Sequence, residues 1–305
     1  MISVIIATHN RPEKLKNCLQ SIKQNEFNNY EVIVLDNYDK PSPSLWREIK
    51  KFPKTKLFFC KNKCKTQSLN YGVSKARGSI LAFTDDDCVV TRNWLKGIQM
   101  EFLSHGRNNV YIGSTLPFNK TKKIGYFCPA TFKRIKKSKF IKEIHQIMPI
   151  GFGNNFAIDK NNFVKLGKFV EWLGPGTMCH SGEDLELFIR SLENIHSIFR
   201  SQKMIVYHNN WIKNNNQTLM YFKYKIGAIS CLLYSYYKYE QAIYKKIFSY
   251  YHLNSKKNLK AFLYMSIKKP RYFTIFLEEA ITTIIPITVA VWQIFKLKIG
   301  LMRNY

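Results

Sequence analysis

Three adjacent carboxylates, Asp85, Asp86 and Asp87, stand out in a chain with 20 acidic residues against 48 basic ones. They follow Ile80-Leu-Ala-Phe83, an apolar run that predicts a buried strand, so the carboxylates fall where that strand should end. In open α/β sheets, ligands bind beyond the carboxyl ends of the strands. Neighbouring carboxylates resist joint ionisation unless a cation or a cluster of donors sits among them, and hard oxygen ligands suit magnesium or manganese. One chemistry for the triplet is therefore a divalent metal holding a diphosphate. The other is an acidic turn that caps a helix starting near Thr91.

The elements that must position these residues begin at Ile2-Ser-Val-Ile-Ile-Ala7, a run rich in β-branched side chains that predicts a strand. Thr8-His-Asn-Arg11 follows as a loop, and Pro12 suits the first turn of a helix. Leu15, Cys18, Leu19 and Ile22 recur at helical spacing, which leaves Lys14, Lys16 and Lys23 for solvent. A second strand, Glu31 to Leu35, ends at Asp36-Asn37. Strand, helix, strand is the pattern of a parallel crossover and predicts a Rossmann-like, mostly parallel α/β sheet flanked by helices. The G-x-G-x-x-G dinucleotide fingerprint is missing after the first strand, which disfavours an ordinary NAD enzyme. Asp36 lies where doubly wound folds often set a carboxylate against a nucleoside, though with Asn37 it also reads as a turn former. Lys56 to Cys60 predicts a third strand. Thr66 to Arg77 predicts a helix with Leu69, Val73 and Ala76 inward, closed by Gly78.

Four fragments occur in a telling order: Ser3-Val-Ile-Ile-Ala-Thr-His-Asn-Arg-Pro12, Val32-Ile-Val-Leu-Asp-Asn37, Asn70-Tyr-Gly72 ahead of Ala76-Arg-Gly78, and Phe83-Thr-Asp-Asp-Asp87 followed by Trp94-Leu95. Over about residues 1 to 105 the chain resembles the family 2 glycosyltransferases of the GT-A fold. The resemblance implies Thr8, Arg11, Asp36 and Asn70 around the nucleotide, with the acidic motif, Asp85 to Asp87, on the ribose and on a metal bound to the diphosphate. Asp87 is the implied metal ligand and Asp85 and Asp86 the donor contacts. Beyond an uninformative stretch, Gly151-Phe-Gly-Asn-Asn155, a glycine-rich loop at Trp172 to Thr177 and Gly182-Glu-Asp184 extend the resemblance to about residue 208. It implies Asp184 as the catalytic base, with Glu183 as its neighbour, and His208 as a second metal ligand or diphosphate contact. Taken from the residues alone, Glu183 and Asp184 are also ordinary acidic residues in the first turn of a helix. The implied reaction is inverting sugar transfer from a nucleotide-sugar donor, expected to be a UDP-sugar, to a glycan or lipid-linked acceptor in polysaccharide biosynthesis. Manganese or magnesium is the expected metal.

Composition bounds the rest. With 305 residues and 46% hydrophobic content, the chain suits one large α/β domain with an appendage. The expected division is a catalytic domain over 1–210, with a nucleotide-sugar half at 1–105 and an acceptor half at 106–210, and an extension over 211–305. A net charge of +28 calls for an anionic partner. Two rival classes compete with the transferase. A nucleic-acid-binding protein would suit the charge and the aromatics, but it leaves carboxylates gathered at strand ends unexplained. A sugar-phosphate nucleotidyltransferase would need a glycine-rich triphosphate loop after the first strand, and that loop is missing. No nucleic-acid partner is expected. The 7 cysteines lack zinc-site spacing and read as reduced thiols, and no leader is read at Met1, so a cytoplasmic protein is expected. The basic segment from Lys133 to Lys142 reads as a solvated helix face. From Trp211 onward lysines interleave with tyrosines, and Ala280 to Phe295 carries no charge over 16 residues. That run is short of the roughly 20 residues a spanning helix needs. A basic, aromatic helix pair lying on the cytoplasmic face of an anionic membrane is the expectation, against a buried helical subdomain or a re-entrant or spanning segment.

Overall fold

The computed structural model describes residues 1–239 apart from 41, 62, 120–123, 133, 143–151, 195 and 196, together with 284, 287–289, 291, 292, 295 and 296. The apolar runs become β1 (Ile2–Thr8), β2 (Tyr30–Asp36), β3 (Thr55–Phe59) and β4 (Ile80–Thr84). Amphipathic stretches between them become α1 (Pro12–Lys23), α2 (Pro43–Ile49) and α3 (Lys65–Lys75). After the acidic triplet come β5 (Cys88–Val90), α4 (Trp94–His105), β6 (Asn109–Pro117), β7 (Tyr126–Phe127), β8 (Lys139–Ile141) and β9 (Asn155–Asp159). The chain continues through α5 (Lys160–Lys165), α6 (Glu183–Glu193), β10 (Ser197–His208), β11 (Ile212–Lys213) and α7 (Gln217–Tyr239).

Nine strands make one sheet in the order β3-β2-β1-β4-β9-β6-β10-β5, with β8 also on β10. β1, β2, β3, β4, β6 and β10 run one way, and β5, β8 and β9 run the other. The sheet is thus mostly parallel and flanked by helices, as the crossover pattern implied. Val4, Ile6, Val32, Val34 and Ala82 share a buried cluster with Leu15, Leu19 and Ile22 of α1 and with Trp94 and Ile98 of α4. Burying each Val, Leu or Ile among them is worth about 1.5–3 kcal/mol, which is why α1 follows its apolar stripe onto the sheet. Asn155, fully buried on β9, ties three elements together. It accepts the Trp94 indole N–H at 2.9 Å and donates its amide to the carbonyls of Ser114 on β6 and Met204 on β10.

Three local expectations change. The acidic triplet does not cap the next helix, because β5 intervenes and α4 begins only at Trp94, with Asn93 at its cap. Gly78 does not close α3, which ends at Lys75. Its reason is space, since a Cβ there would lie 2.7 Å from the backbone nitrogen of Ser3 on β1. The basic segment 133–142 is not a helix face where it is described. β8 lies antiparallel to β10 and buries Ile141 to 1% exposure, so sheet pairing overrides the run of charge.

The chain divides into two compact units, Met1–Glu171 with Leu187–Gln217, and Trp172–Glu186 with Thr218–Tyr305. In the second, the glycine-rich loop lies on α7: Ser181 Oγ donates to the carbonyls of Lys223 and Tyr224, and Trp172 meets Tyr234 edge to face at 5.2 Å. No helix among the described residues is long and apolar enough to cross a membrane. Most of the uncharged run 280–295 lies outside the described residues.

Candidate active site

Parallel pairing brings the expected residues to one edge of the sheet. Thr8 ends β1, Asp36 ends β2 in register with it, and the triplet follows β4 on the other side of β1. Asn37 N–H donates to the Thr8 carbonyl at 3.0 Å. Asp36 is buried, which raises its pKa, and its Oδ1 accepts the N–H groups of Asn10 and Tyr38.

The three carboxylates have three environments. Asp86 has no exposed surface. It accepts the Thr8 hydroxyl at 2.6 Å and the Arg11 guanidinium as a fork, with Nε at 2.9 Å and Nη2 at 2.5 Å. Burial drives its carboxyl up, against the pull of Arg11, to about 6. Asp87 is also buried, but His208 Nε2 at 3.1 Å, Arg11 Nη1 at 3.1 Å and Lys14 Nζ at 3.5 Å surround it. Burial raises its pKa, yet those partners together hold it well below the usual carboxylate range. Asp85 is the most exposed of the three and pairs with Lys65 Nζ at 2.7 Å. His208 is buried, which opposes its charge, but the bond to Asp87 carries it up to about 10.

A cation fits between Asp87 and His208 for a reason visible in the hydrogen bonds. His208 Nδ1 lies 2.7 Å from the Pro129 carbonyl, which can only accept, so Nδ1 carries the hydrogen. Nε2 then faces Asp87 Oδ1, and two acceptors this close need a proton or a metal ion to share. A histidine that donates its other N–H to a backbone carbonyl is also the usual support for a metal ligand. Cys88 lies with them, the three ligand atoms falling within 4.8 Å of one another. Burial and the nearby carboxylates push its thiol well up, away from the thiolate a metal takes.

Thr8, Arg11, Asp36, Asp85, Asp86, Asp87 and His208 therefore gather at one end of the first unit. Asn70 does not join them. It binds the Phe169 carbonyl and N–H and the Glu171 carboxylate. Glu183 and Asp184 belong to the second unit, in the first turn of α6, with Glu183 buried and Asp184 Oδ1 accepting the Leu185 N–H at 2.8 Å. Lys14, expected in solvent, instead reaches Asp87, and its Nζ also donates to Asn210. The helical period could not reveal this, because Lys14 lies in the first turn of α1 and the period does not say what that turn faces. Lys65 has the same origin, as the first residue of α3.

The mostly parallel sheet flanked by helices matches the fold of GT-A glycosyltransferases. The glycosyl transferase family 2 model matches residues 3–167, more than half of the chain. The chain belongs to that family. A glycosyltransferase of Haemophilus influenzae is 26% identical over 195 residues, covering 63% of this chain and 62% of the relative. One of Rickettsia conorii is 26% identical over 189 residues, covering 62% of this chain and 29% of the relative. The chain thus spans less than two thirds of the length of these relatives. The fold is similar to that of the Pyrobaculum calidifontis mannosyltransferase solved with GDP-Man and Mn2+, at a TM-score of 0.61 with 12% identity, over 96% of this chain and 87% of that one. It is also similar to S. aureus TarS 1–349 in complex with UDP-GlcNAc, at 0.58 with 15% identity, over 76% of this chain and 66% of that one.

Proposed function

We propose that the protein is an inverting glycosyltransferase that moves a sugar from a UDP-sugar to a hydroxyl of a glycan or lipid-linked acceptor in polysaccharide biosynthesis, at the cytoplasmic face of a membrane. The observation that carries the reading is the buried Asp87–His208 pair, supported on one side by Pro129 and fed by Arg11 and Lys14. The nucleotide sugars held by the two solved neighbours support the donor class. A divalent cation, manganese or magnesium, held by Asp87 and His208 would neutralise charge on the donor diphosphate.

The chain's own groups divide the remaining work. Asp36 and Thr8 face the nucleoside, Asp85 the ribose, and Arg11, Lys14 and Lys65 supply positive charge to the departing diphosphate. Asp86, locked by Thr8 and Arg11, holds the end of β4 against the end of β1. Asp184 takes the acceptor proton as the acceptor oxygen attacks the anomeric carbon and the bond to the diphosphate breaks, with Glu183 beside it. One displacement inverts the configuration. Nucleic acid has no part in this reading.

The test separates the two carboxylates. Asp87→Asn lowers manganese-dependent affinity for UDP by more than about tenfold, since even outer-shell changes cost that much. Asp184→Asn keeps UDP affinity and loses turnover by about 10²–10⁴. Titration calorimetry with UDP and manganese reads the first, UDP release with a panel of UDP-sugars and acceptors reads the second, and NMR of the product gives the anomeric configuration. Normal binding and turnover in both variants, or retained configuration, would overturn the assignment.

A further inference from the structure

The first unit carries a second basic feature, away from the carboxylates. β10 shifts register between Arg200 and Ile205, where its neighbour changes from β8 to β5. Beside this shift an open groove of about 510 Å³ lies between β10 and the start of α4. Arg92, Lys96 and Lys203 line it, and no carboxylate does. Lys96 has a weak exposed partner in Glu26 at 3.6 Å, and Lys203 lies 3.5 Å from the buried Glu101. Arg92 is exposed and has no ion pair among the described residues.

The same face is apolar as well as basic. Met100 and Leu103 follow Lys96 on the outward side of α4 and are 42% and 75% exposed. Phe140 on β8, also 42% exposed, joins this face through His105 of α4, whose ring lies 5.7 Å away. Large apolar side chains held in water beside cations suit a surface that is anionic at its rim and apolar just beneath. A nucleic acid would satisfy the cations but leave Met100 and Leu103 unburied, whereas the interface of an anionic bilayer takes both.

We propose that this face seats on an anionic lipid surface, with the open groove beside the β10 bulge taking a phosphate-bearing headgroup and Met100, Leu103 and Phe140 entering the acyl boundary. Attachment then resides in the catalytic sheet and does not depend on the C-terminal extension alone. The proposal is independent of which sugar is transferred.

The test uses the full chain and sedimentation with vesicles of phosphatidylcholine alone or mixed with phosphatidylglycerol. Each cation at the surface is worth about a fivefold change in partition, so Arg92→Gln with Lys96→Gln lowers binding to the mixed vesicles by more than about tenfold. Leu103→Ser also lowers it, with an unchanged melting temperature. Lys50→Gln with Lys56→Gln, just after α2 and on β3 at the opposite edge of the sheet, leaves it unchanged. An equal fall in both charge pairs would reduce the effect to net charge and overturn the proposal. So would full binding by the Arg92, Lys96 and Leu103 variants, or a loss of binding to random single-stranded RNA in place of vesicles.

Discussion

Asp85, Asp86 and Asp87 are the same side chain three times, and the fold separates them by burial and partners. One is spent on Thr8 and Arg11, one faces His208, and one remains partly in solvent with Lys65. Glu31 shows the same physics at a purely structural place. It accepts the Ser3 hydroxyl at 2.9 Å, the Arg77 N–H at 2.7 Å and Arg77 Nε at 3.1 Å. Burial raises its pKa, but the bonds from Arg77 and Ser3 outweigh this and bring it below the ordinary value of 4.5. A carboxyl whose pKa is lower in the folded state adds stability above its unfolded pKa and loses it as pH falls through the folded one. Glu31→Gln therefore destabilises by about 1–3 kcal/mol at neutral pH, and the urea midpoints of the two proteins converge below about pH 4. A constant difference down to pH 3 would show that packing, not charge, accounts for the loss.

At the scale of elements, α7 matters more than an anchor would. Gly182 precedes Glu183 and Asp184 with φ of +98°, and a Cβ there would meet the Gly227 carbonyl of α7 at 2.6 Å. Two glycines thus let the loop and the helix touch backbone to backbone, two residues from the candidate base. Gly227→Val in the full chain is expected to loosen the loop at 172–186 and lower turnover by at least about tenfold, while manganese-dependent UDP affinity, which rests on residues of the first unit, changes by less than about threefold. Limited proteolysis would show new cleavage within 172–186. If the variant resists the protease and turns over normally, α7 does not position Asp184.

Among the described residues, half of the carboxylates lie below the surface. Glu31, Asp36, Asp86, Asp87, Glu101, Asp159, Glu183 and Glu186 are all buried, so much of the acidic complement is withdrawn from the surface of a chain already at +28. Self-repulsion of that size destabilises the compact state and is screened by salt. Raising sodium chloride from about 0.01 M to 0.15 M shortens the screening length from about 30 Å to 8 Å. The expected gain of about 1 kcal/mol appears as a rise of about 2–4 °C in melting temperature. A melting temperature that falls with salt would mean that the cations are internally paired.

The β-branched runs of β1, β2 and β4 and the apolar stripe of α1 determined the parallel sheet, because their periods leave only one face or both faces to bury. Those elements in turn set Thr8, Asp36 and the triplet at strand ends, which is why that half of the site was legible. What the triplet's residues do was not, because burial and partners come from elsewhere in the chain. His208 meets Asp87 across 121 positions, and Pro129, which fixes its tautomer, lies outside the named strands and helices. Lys14 escapes the pattern for the same reason, since helical spacing gives the side a residue lies on but not which strand ends that side faces. The charge run at 133–142 concealed β8 because local composition carries no signal for the neighbour that pairs with it. Only the tertiary structure joins groups so distant in sequence, and such joining is what separates three identical carboxylates into different roles.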